Sequence, residues 1–241
     1  MTGKLLKPKT FQEITIAMIS DYADTKKVKL FQGRKVVPAV YRRAGKRLFD
    51  ISLALILLPV ILPVIAGLWC VTVRDGGRGF FAHKRIGRHG KVFRCWKLRT
   101  MVVDAEARLR EHLAANPAAA EEWKRDHKLT DDPRITRLGR FLRRTSLDEL
   151  PQIWNVLRGE MSFVGPRPIV RVELHKYGPH RPVYLSMTPG ITGLWQVSGR
   201  NDVTYSERVQ LDLDYSSKLS LVTDVRLIMM TGLSVVGATG R

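Results

Sequence analysis

Residues 48–73, "LFDISLALILLPVILPVIAGLWCVTV", constrain this chain more than any other stretch. A membrane-inserted helix needs about 20 consecutive apolar residues, and this segment is longer than that and has almost no polar face. A core helix of a soluble domain would have to be enclosed on every side, and a cleaved signal starts nearer the N-terminus and is shorter. Membrane insertion is therefore the expectation, but not as a simple crossing. Pro59 and Pro63 lie mid-segment, where each removes a helix hydrogen bond and crowds the preceding turn, which predicts a kink. Both flanks are also basic: "RKVVPAVYRRAGKR" (34–47) precedes the segment, and Arg74, Arg78, Lys84, Arg85 and Arg88 follow it. Positive flanks stay cytoplasmic, and one crossing helix cannot keep both ends there. A re-entrant helix over 46–74, broken near Pro59 and Pro63, satisfies both flanks. Asp50, near its start, is expected at the interface beside an arginine partner, because deep burial of a charge is costly.

Charge narrows the partners. The 241 residues hold 41 Lys and Arg against 22 Asp and Glu, a formal net charge of +19. Such an excess implies an anion: nucleic acid, an anionic lipid surface or a phosphorylated substrate. Cys70 and Cys95 have no metal or redox spacing, and the six histidines are scattered; His175 and His180, the closest pair, lack metal-site spacing. Both cysteines are expected to be reduced thiols.

The rest of the chain is organised around short elements. "FQEITIAMISDYA" (11–23) has the pattern of a short amphipathic helix. "GGRGFFAHKRIGRHGKVFRCWKLRTM" (76–101) predicts a hairpin followed by a short strand. Residues 104–127 predict a helix interrupted at Pro117. In "DDPRITRLGRFLRR" (131–144) Ile135, Leu138, Phe141 and Leu142 share one helical face, with Arg134, Arg137, Arg140, Arg143 and Arg144 opposite. That pattern suits a helix lying in a membrane interface, although a surface helix of a soluble core looks similar. "LPQIWNVLRGEM" (150–161) predicts a helix and "SFVGPRP" (162–168) a turn. "TPGITGLWQVSGRND" (188–202) has the glycine and proline density of a loop that a ligand approaches closely. "TDVRLIMMTGLSVV" (223–236) predicts a capped apolar helix.

The chemistry concentrates in "TSLDELPQ" (145–152), where Asp148 and Glu149 follow the basic run "RFLRR". Ser146 and Glu149 fit a capping box at the start of a helix. Capping and catalysis are compatible, because a helix N-terminus holds phosphate oxygens and keeps a carboxylate ionised. An ionised Asp can attack phosphorus, and phosphoryl transfer then asks for arginines and Mg²⁺, with Arg143, Arg144 and Arg167 as plausible suppliers.

Four stretches taken together, "KRLFDISLALILLP" (46–59), "HKRIGRHGKVFRCWKLRTM" (83–101), "DPRITRLGRFLRRTSLDELPQIWNVLRGEMSFVGPRP" (132–168) and "TPGITGLWQVSGRND" (188–202), resemble the bacterial sugar transferases, monotopic polyprenyl-phosphate hexose-1-phosphate transferases. The resemblance runs in order from about Lys46 to the C-terminus. It implies an α/β membrane-associated fold: a re-entrant helix (46–74) carrying a small, mainly helical cytoplasmic catalytic domain (75–241) with short strands and interfacial amphipathic helices. Residues 1–45 form an extension of unassigned role, and the sequence as given has no room for the N-terminal transmembrane helices that one branch carries.

In such enzymes the Asp of the dyad attacks a UDP-sugar, UMP leaves, and polyprenyl phosphate then takes the sugar phosphate. The resemblance makes Asp148 the nucleophile and a Mg²⁺ ligand, and Glu149 its partner. It makes Lys97, Arg99, Arg143, Arg167, Gln196 and Arg200 substrate-binding residues. The implied partners are a UDP-hexose, undecaprenyl phosphate and anionic membrane lipids, with no nucleic acid and with room for a homo-oligomer. The implied location is the cytoplasmic face of the bacterial inner membrane. "HKRIG" with "GLWQVSGRND" looks like the galactose or glucose branch, with an N-acetylated UDP-sugar as the alternative. Leu62 stands before Pro63 where members often have Ser, and His83 stands where some have Gln. A non-catalytic basic membrane scaffold and a nucleic-acid-binding protein are the rivals from other classes; neither gives the dyad a role.

Overall fold

The computed structural model describes residues 40–198 and 203–236. A π-helical turn, Tyr41–Gly45, leads into α1 (Lys46–Thr72), which is continuous through Pro59 and Pro63. Only 11 % of its most apolar window is buried, so it is not the core helix of a soluble domain. Leu55, Ile56, Val60 and Leu62 face outward. Ala54 and Ile65 face inward, and with Leu57, Leu58 and Ile61 they pack on Phe93, Cys95, Ile153, Val156 and Met161. Each such aliphatic side chain, fully buried, contributes about 1.5–3 kcal/mol.

Both ends of α1 are fastened to the same body. At its start, Lys46 Nζ donates to Asp224 at 2.7 Å, and Arg47 caps the carbonyls of Val156 (2.5 Å) and Leu157 (2.7 Å). Asp50 is buried and accepts from Ser162 Oγ (2.9 Å) and Phe163 N (3.0 Å). The expected arginine partner is thus replaced by a hydroxyl and an amide, which satisfy the carboxylate inside the fold. At the far end, Arg99 donates to the carbonyl of Thr72 at 3.0 Å, and Trp69 stacks on Phe80.

The hairpin is β1 (Phe80–Ile86) and β2 (Val92–Leu98), paired antiparallel from Phe80↔Leu98 to Ile86↔Val92. "KVFRCWKL" is therefore the hairpin's second strand, not a further one. Its turn places His89 at φ 58° and Gly90 at φ 75°. The predicted helix over 104–127 is two: α2 (Ala105–Ala115) and α3 (Pro117–Asp126). Pro117 occupies the first helical turn of α3, and Asn116 caps it by accepting from Ala119 N.

α4 (Arg137–Thr145) is capped by the Thr136 hydroxyl and buries Leu142, while Arg137, Arg140, Phe141 and Arg144 stay exposed. α5 spans only Gln152–Leu157. The turn expected over 162–168 contains β3 (Ser162–Val164), which pairs in parallel with β4 (Gly190–Thr192). A 3₁₀ stretch (Arg171–His180), α6 (Arg181–Ser186), α7 (Leu194–Val197), α8 (Tyr205–Lys218) and α9 (Leu221–Val236) complete the described chain. The stretch 11–23 lies outside the described residues.

Candidate active site

The dyad sits where α4 ends. Ser146 adopts the left-handed conformation (φ 58°, ψ 17°), which reverses the chain, and Leu147–Glu149 form one 3₁₀ turn. The Ser146 side chain makes no cap, so the expected capping box is absent; a left-handed residue aims its side chain away from the amides it would have to bond. The expectation that a helix N-terminus holds the carboxylate ionised fails with it, since one 3₁₀ turn has little dipole. A cation takes that part. Lys97 Nζ lies 2.6 Å from Glu149 Oε1 and 3.4 Å from Asp148 Oδ2.

β2 is held in place for this contact by Asn155, which is fully buried. Its Oδ1 accepts from Trp96 N (3.1 Å) and its Nδ2 donates to Arg94 O (2.7 Å). Lys97 follows directly on the strand. Burial alone would lower its ammonium, but Glu149 and Asp148 outweigh burial and hold it above its usual range. Asp148 is 7 % exposed. Burial pushes its carboxyl up and Glu149 adds to that, while Lys97 and Arg143 pull it down.

Asp148 and Glu149 open onto a cleft of about 2130 Å³ that Lys97, Arg99, Arg143, Arg167 and Gln196 also line. The arginines differ in what they have left to offer. Arg99 spends all five N–H donors: on the carbonyls of Arg78 (2.7 Å), Met101 (2.9 Å) and Thr72 (3.0 Å), and twice on Asp75. It fastens the end of α1 to the residue after β2 and has no donor left for a phosphate, so the substrate-binding role expected for it gives way to an anchoring one. Arg143 donates Nε to Thr100 Oγ1 at 2.9 Å, and no described residue accepts from its Nη groups. Burial lowers its guanidinium and Asp148 partly offsets this; it remains a cation at physiological pH.

Arg167 packs over the Trp195 ring, 5.1 Å from its centroid, and donates no hydrogen bond to a described residue. Gln196 Nε2 is used on Ile191 O at 2.9 Å. Arg200 lies outside the described residues. Thr100, Trp195 and Arg85 also line the cleft without having been singled out as site residues. Thr100 belongs to the "KLRTM" element and Trp195 to "GLWQ", so both stood inside quoted motifs.

The glycines of "TPGITG" serve backbone contact, not a ligand. A Cβ on Gly190 would lie 2.1 Å from Gly165 N, and one on Gly193 would lie 2.2 Å from Gly165 O. They let the 188–197 stretch press against "VGPRP", which brings Arg167 to Trp195. Gly139 does the same for α4, where a Cβ would lie 2.0 Å from Thr100 O. Arg143 stands one turn further along that helix, within reach of the Thr100 hydroxyl.

No group of three or more His, Cys, Asp or Glu that could hold a metal is present among the described residues. A hard cation that takes one or two carboxylates and completes its shell from substrate phosphates needs no such group, and the dyad fits that kind of site.

A family model described as bacterial sugar transferase matches residues 41–238. The undecaprenyl-phosphate galactose phosphotransferase of Salmonella typhimurium is 49 % identical over 195 residues, covering 81 % of this chain and 41 % of that protein. The exopolysaccharide production protein ExoY of Rhizobium meliloti is 47 % identical over 190 residues, covering 78 % of this chain and 83 % of that protein. The UDP-glucose:undecaprenyl-phosphate glucose-1-phosphate transferase of Xanthomonas campestris is 38 % identical over 209 residues, covering 82 % of this chain and 40 % of that protein. The chain therefore spans less than half the length of two of these three relatives.

Proposed function

The chain belongs to the bacterial sugar transferase family, and on that premise we propose that it transfers hexose-1-phosphate from a UDP-hexose to undecaprenyl phosphate, the first step in building an exopolysaccharide on a lipid carrier. Galactose and glucose are the sugars the relatives' names favour.

One observation carries the mechanism. Asp148 is buried on the cleft, its side chain's one hydrogen bond among the described residues is the 3.4 Å contact with Lys97, and two arginines with spare donors line the same cleft. An Asp148 oxygen attacks the phosphorus that bears the sugar. The bond from that phosphorus to the bridging oxygen breaks, and UMP leaves with the oxygen and its electron pair. The product is an aspartyl phosphosugar. A phosphate oxygen of undecaprenyl phosphate attacks the same phosphorus, and Asp148 leaves as a carboxylate. Arg143 and Arg167 neutralise diphosphate charge in both steps. Lys97 keeps Asp148 ionised despite its burial, and Glu149 holds Lys97 there. Asp148 with the donor's phosphate oxygens would hold Mg²⁺, which supplies further charge neutralisation when bound.

The membrane reading rests on α1. Its outward face is apolar, and both of its ends are tied to one body. A straight span would part those ends by the thickness of a bilayer, about 30 Å of hydrocarbon. We place residues 46–74 as a helix that enters one leaflet and returns, and 75–241 as the catalytic domain on the cytoplasmic face. The helix is continuous through Pro59 and Pro63, but these lack the N–H groups that would bond Leu55 O and Pro59 O, so we assign the bend of the inserted helix to that stretch. Arg137, Arg140, Phe141 and Arg144 on the exposed face of α4 suit an anionic lipid surface.

The test is intact mass after incubating detergent-purified protein with Mg²⁺ and single UDP-sugars, without lipid acceptor. A hexose-phosphate adduct on the wild type and none on Asp148→Asn is the expected result. Protein that binds UDP-sugars yet never gains the adduct would refute the covalent route.

A further inference from the structure

Beside the dyad, two guanidiniums pack over one buried indole. Arg167 Cζ lies 5.1 Å and Arg208 Cζ 4.6 Å from the Trp195 ring centroid. The three residues come from different elements: the loop after β3, α7 and α8. Trp195 is 4 % exposed and lines the cleft, yet its Nε1–H meets no acceptor among the described residues. Buried donors nearly always have a partner, so an orphan on a side chain that walls a cleft points to a ligand. The Ser198 hydroxyl and Arg208 Nε are likewise buried without a hydrogen bond to a described residue. Two cations over one ring repel each other, and a fold that gathers them with a spare N–H has built a place for an anion.

We propose that Trp195 is a positioning residue for the diphosphate of the nucleotide-sugar donor. Its ring, packed against Arg208, holds the Arg167 guanidinium at the cleft wall, and its Nε1–H donates to a diphosphate oxygen. This rests on the transferase reading above. The ligand is phosphate-bearing because both groups packed over the ring are full positive charges. A lipid acceptor offers a phosphate too, and the two half-reactions separate the sources.

Trp195→Phe keeps the ring and removes the N–H. In the detergent-purified full chain it should weaken UDP binding about tenfold by titration calorimetry, the size expected for a hydrogen bond to a charged group. Uridine, followed by NMR line broadening, should bind both proteins equally. The kcat/KM for adduct formation should fall by the same factor as UDP affinity, and by more than the rate at which polyprenyl phosphate discharges the adduct.

Unchanged UDP affinity would overturn the proposal, as would equal loss of UDP and uridine, which marks a merely structural ring. Slowed discharge with normal UDP binding would assign the site to the acceptor and overturn the donor assignment. If Trp195→Phe does not fold, Arg208→Gln carries the same comparison, with the same UDP-specific loss expected. A wild type that binds UDP but forms no adduct would refute the reaction and leave the UDP test standing. Adduct on the wild type with no effect of Trp195→Phe on UDP would refute this inference alone.

Discussion

Two buried aspartates, Asp224 and Asp148, each face a lysine, and they do opposite work. Asp224 is fully buried, and both of its oxygens are satisfied: Tyr41 OH and Lys46 Nζ at 2.7 Å on one, Tyr215 OH at 2.7 Å on the other. It joins the start of α1 to α8 and α9. Asp148 is almost as buried but has one long contact, to a lysine that Glu149 holds more closely. A carboxylate held by three donors across both oxygens is a structural joint. One buried on the cleft with lone pairs to spare is available for the attack proposed for Asp148.

The largest test of that difference is to exchange the two losses. Asp148→Asn should cut turnover by at least about 10³-fold, as loss of a covalent nucleophile does, with the fold intact. Asp224→Asn should lower turnover only in proportion to folded protein. A comparable specific-activity loss at both sites, measured per folded molecule, would erase the distinction.

Stability should rank them the other way. Asp224→Ala leaves Lys46, whose side chain is 13 % exposed, without its carboxylate, and should cost about 3–5 kcal/mol by denaturant unfolding in detergent. Asp148→Ala removes a penalised buried charge and should cost far less. A smaller contrast of the same kind holds between arginines. Arg99→Lys should destabilise by about 1–3 kcal/mol, since the partly buried carbonyls of Thr72 and Met101 lose donors. Arg143→Lys should instead raise KM for the UDP-sugar at nearly unchanged stability.

The pH profile comes next. Because burial raises the Asp148 carboxyl, adduct formation should rise with pH through a midpoint above the ordinary Asp range. Lys97→Met removes the cation that holds the group down, so that midpoint should move to higher pH. A midpoint that stays put would show that Lys97 does not tune the nucleophile.

Asp212 gives the smallest effect. Burial pushes its carboxyl up to about 7, with the Tyr177 hydroxyl (2.7 Å) and Arg208 opposing. A folded-state value above the unfolded one means stability is full below the ordinary Asp range and falls as pH rises through about 7. Asp212→Asn should flatten that slope, which cannot exceed about 1.4 kcal/mol per pH unit for one group.

Much of the local structure was legible. Alternating residues marked the hairpin, Pro117 split α2 from α3, and the periodicity of arginines against apolar residues marked α4. The acidic pair was found through its charge contrast with "RFLRR". The same local reasoning failed at Ser146, where a sequence that matches a capping box sits instead in a left-handed residue ending one helix. It failed again at "TPGITG", whose glycines admit another backbone, and it passed over the buried Tyr177, Tyr184 and Asp212 of the 169–218 region.

By itself the sequence determined the apolar helix, the order of the short elements and the placing of Asp148 and Glu149 between basic segments. Those follow from hydrophobic periodicity, turn chemistry and charge, which act over a few residues. Only the tertiary structure decided which arginines remain available. Arg99 and Arg143 look alike in the chain, but four of the five bonds that exhaust Arg99 go to the end of α1 and the loop beyond it, 21 to 27 residues away. The joint at Asp224 links residues 178 and 183 positions apart. A donor's availability is set by the groups folding brings within 3 Å of it, and no local pattern encodes that distance.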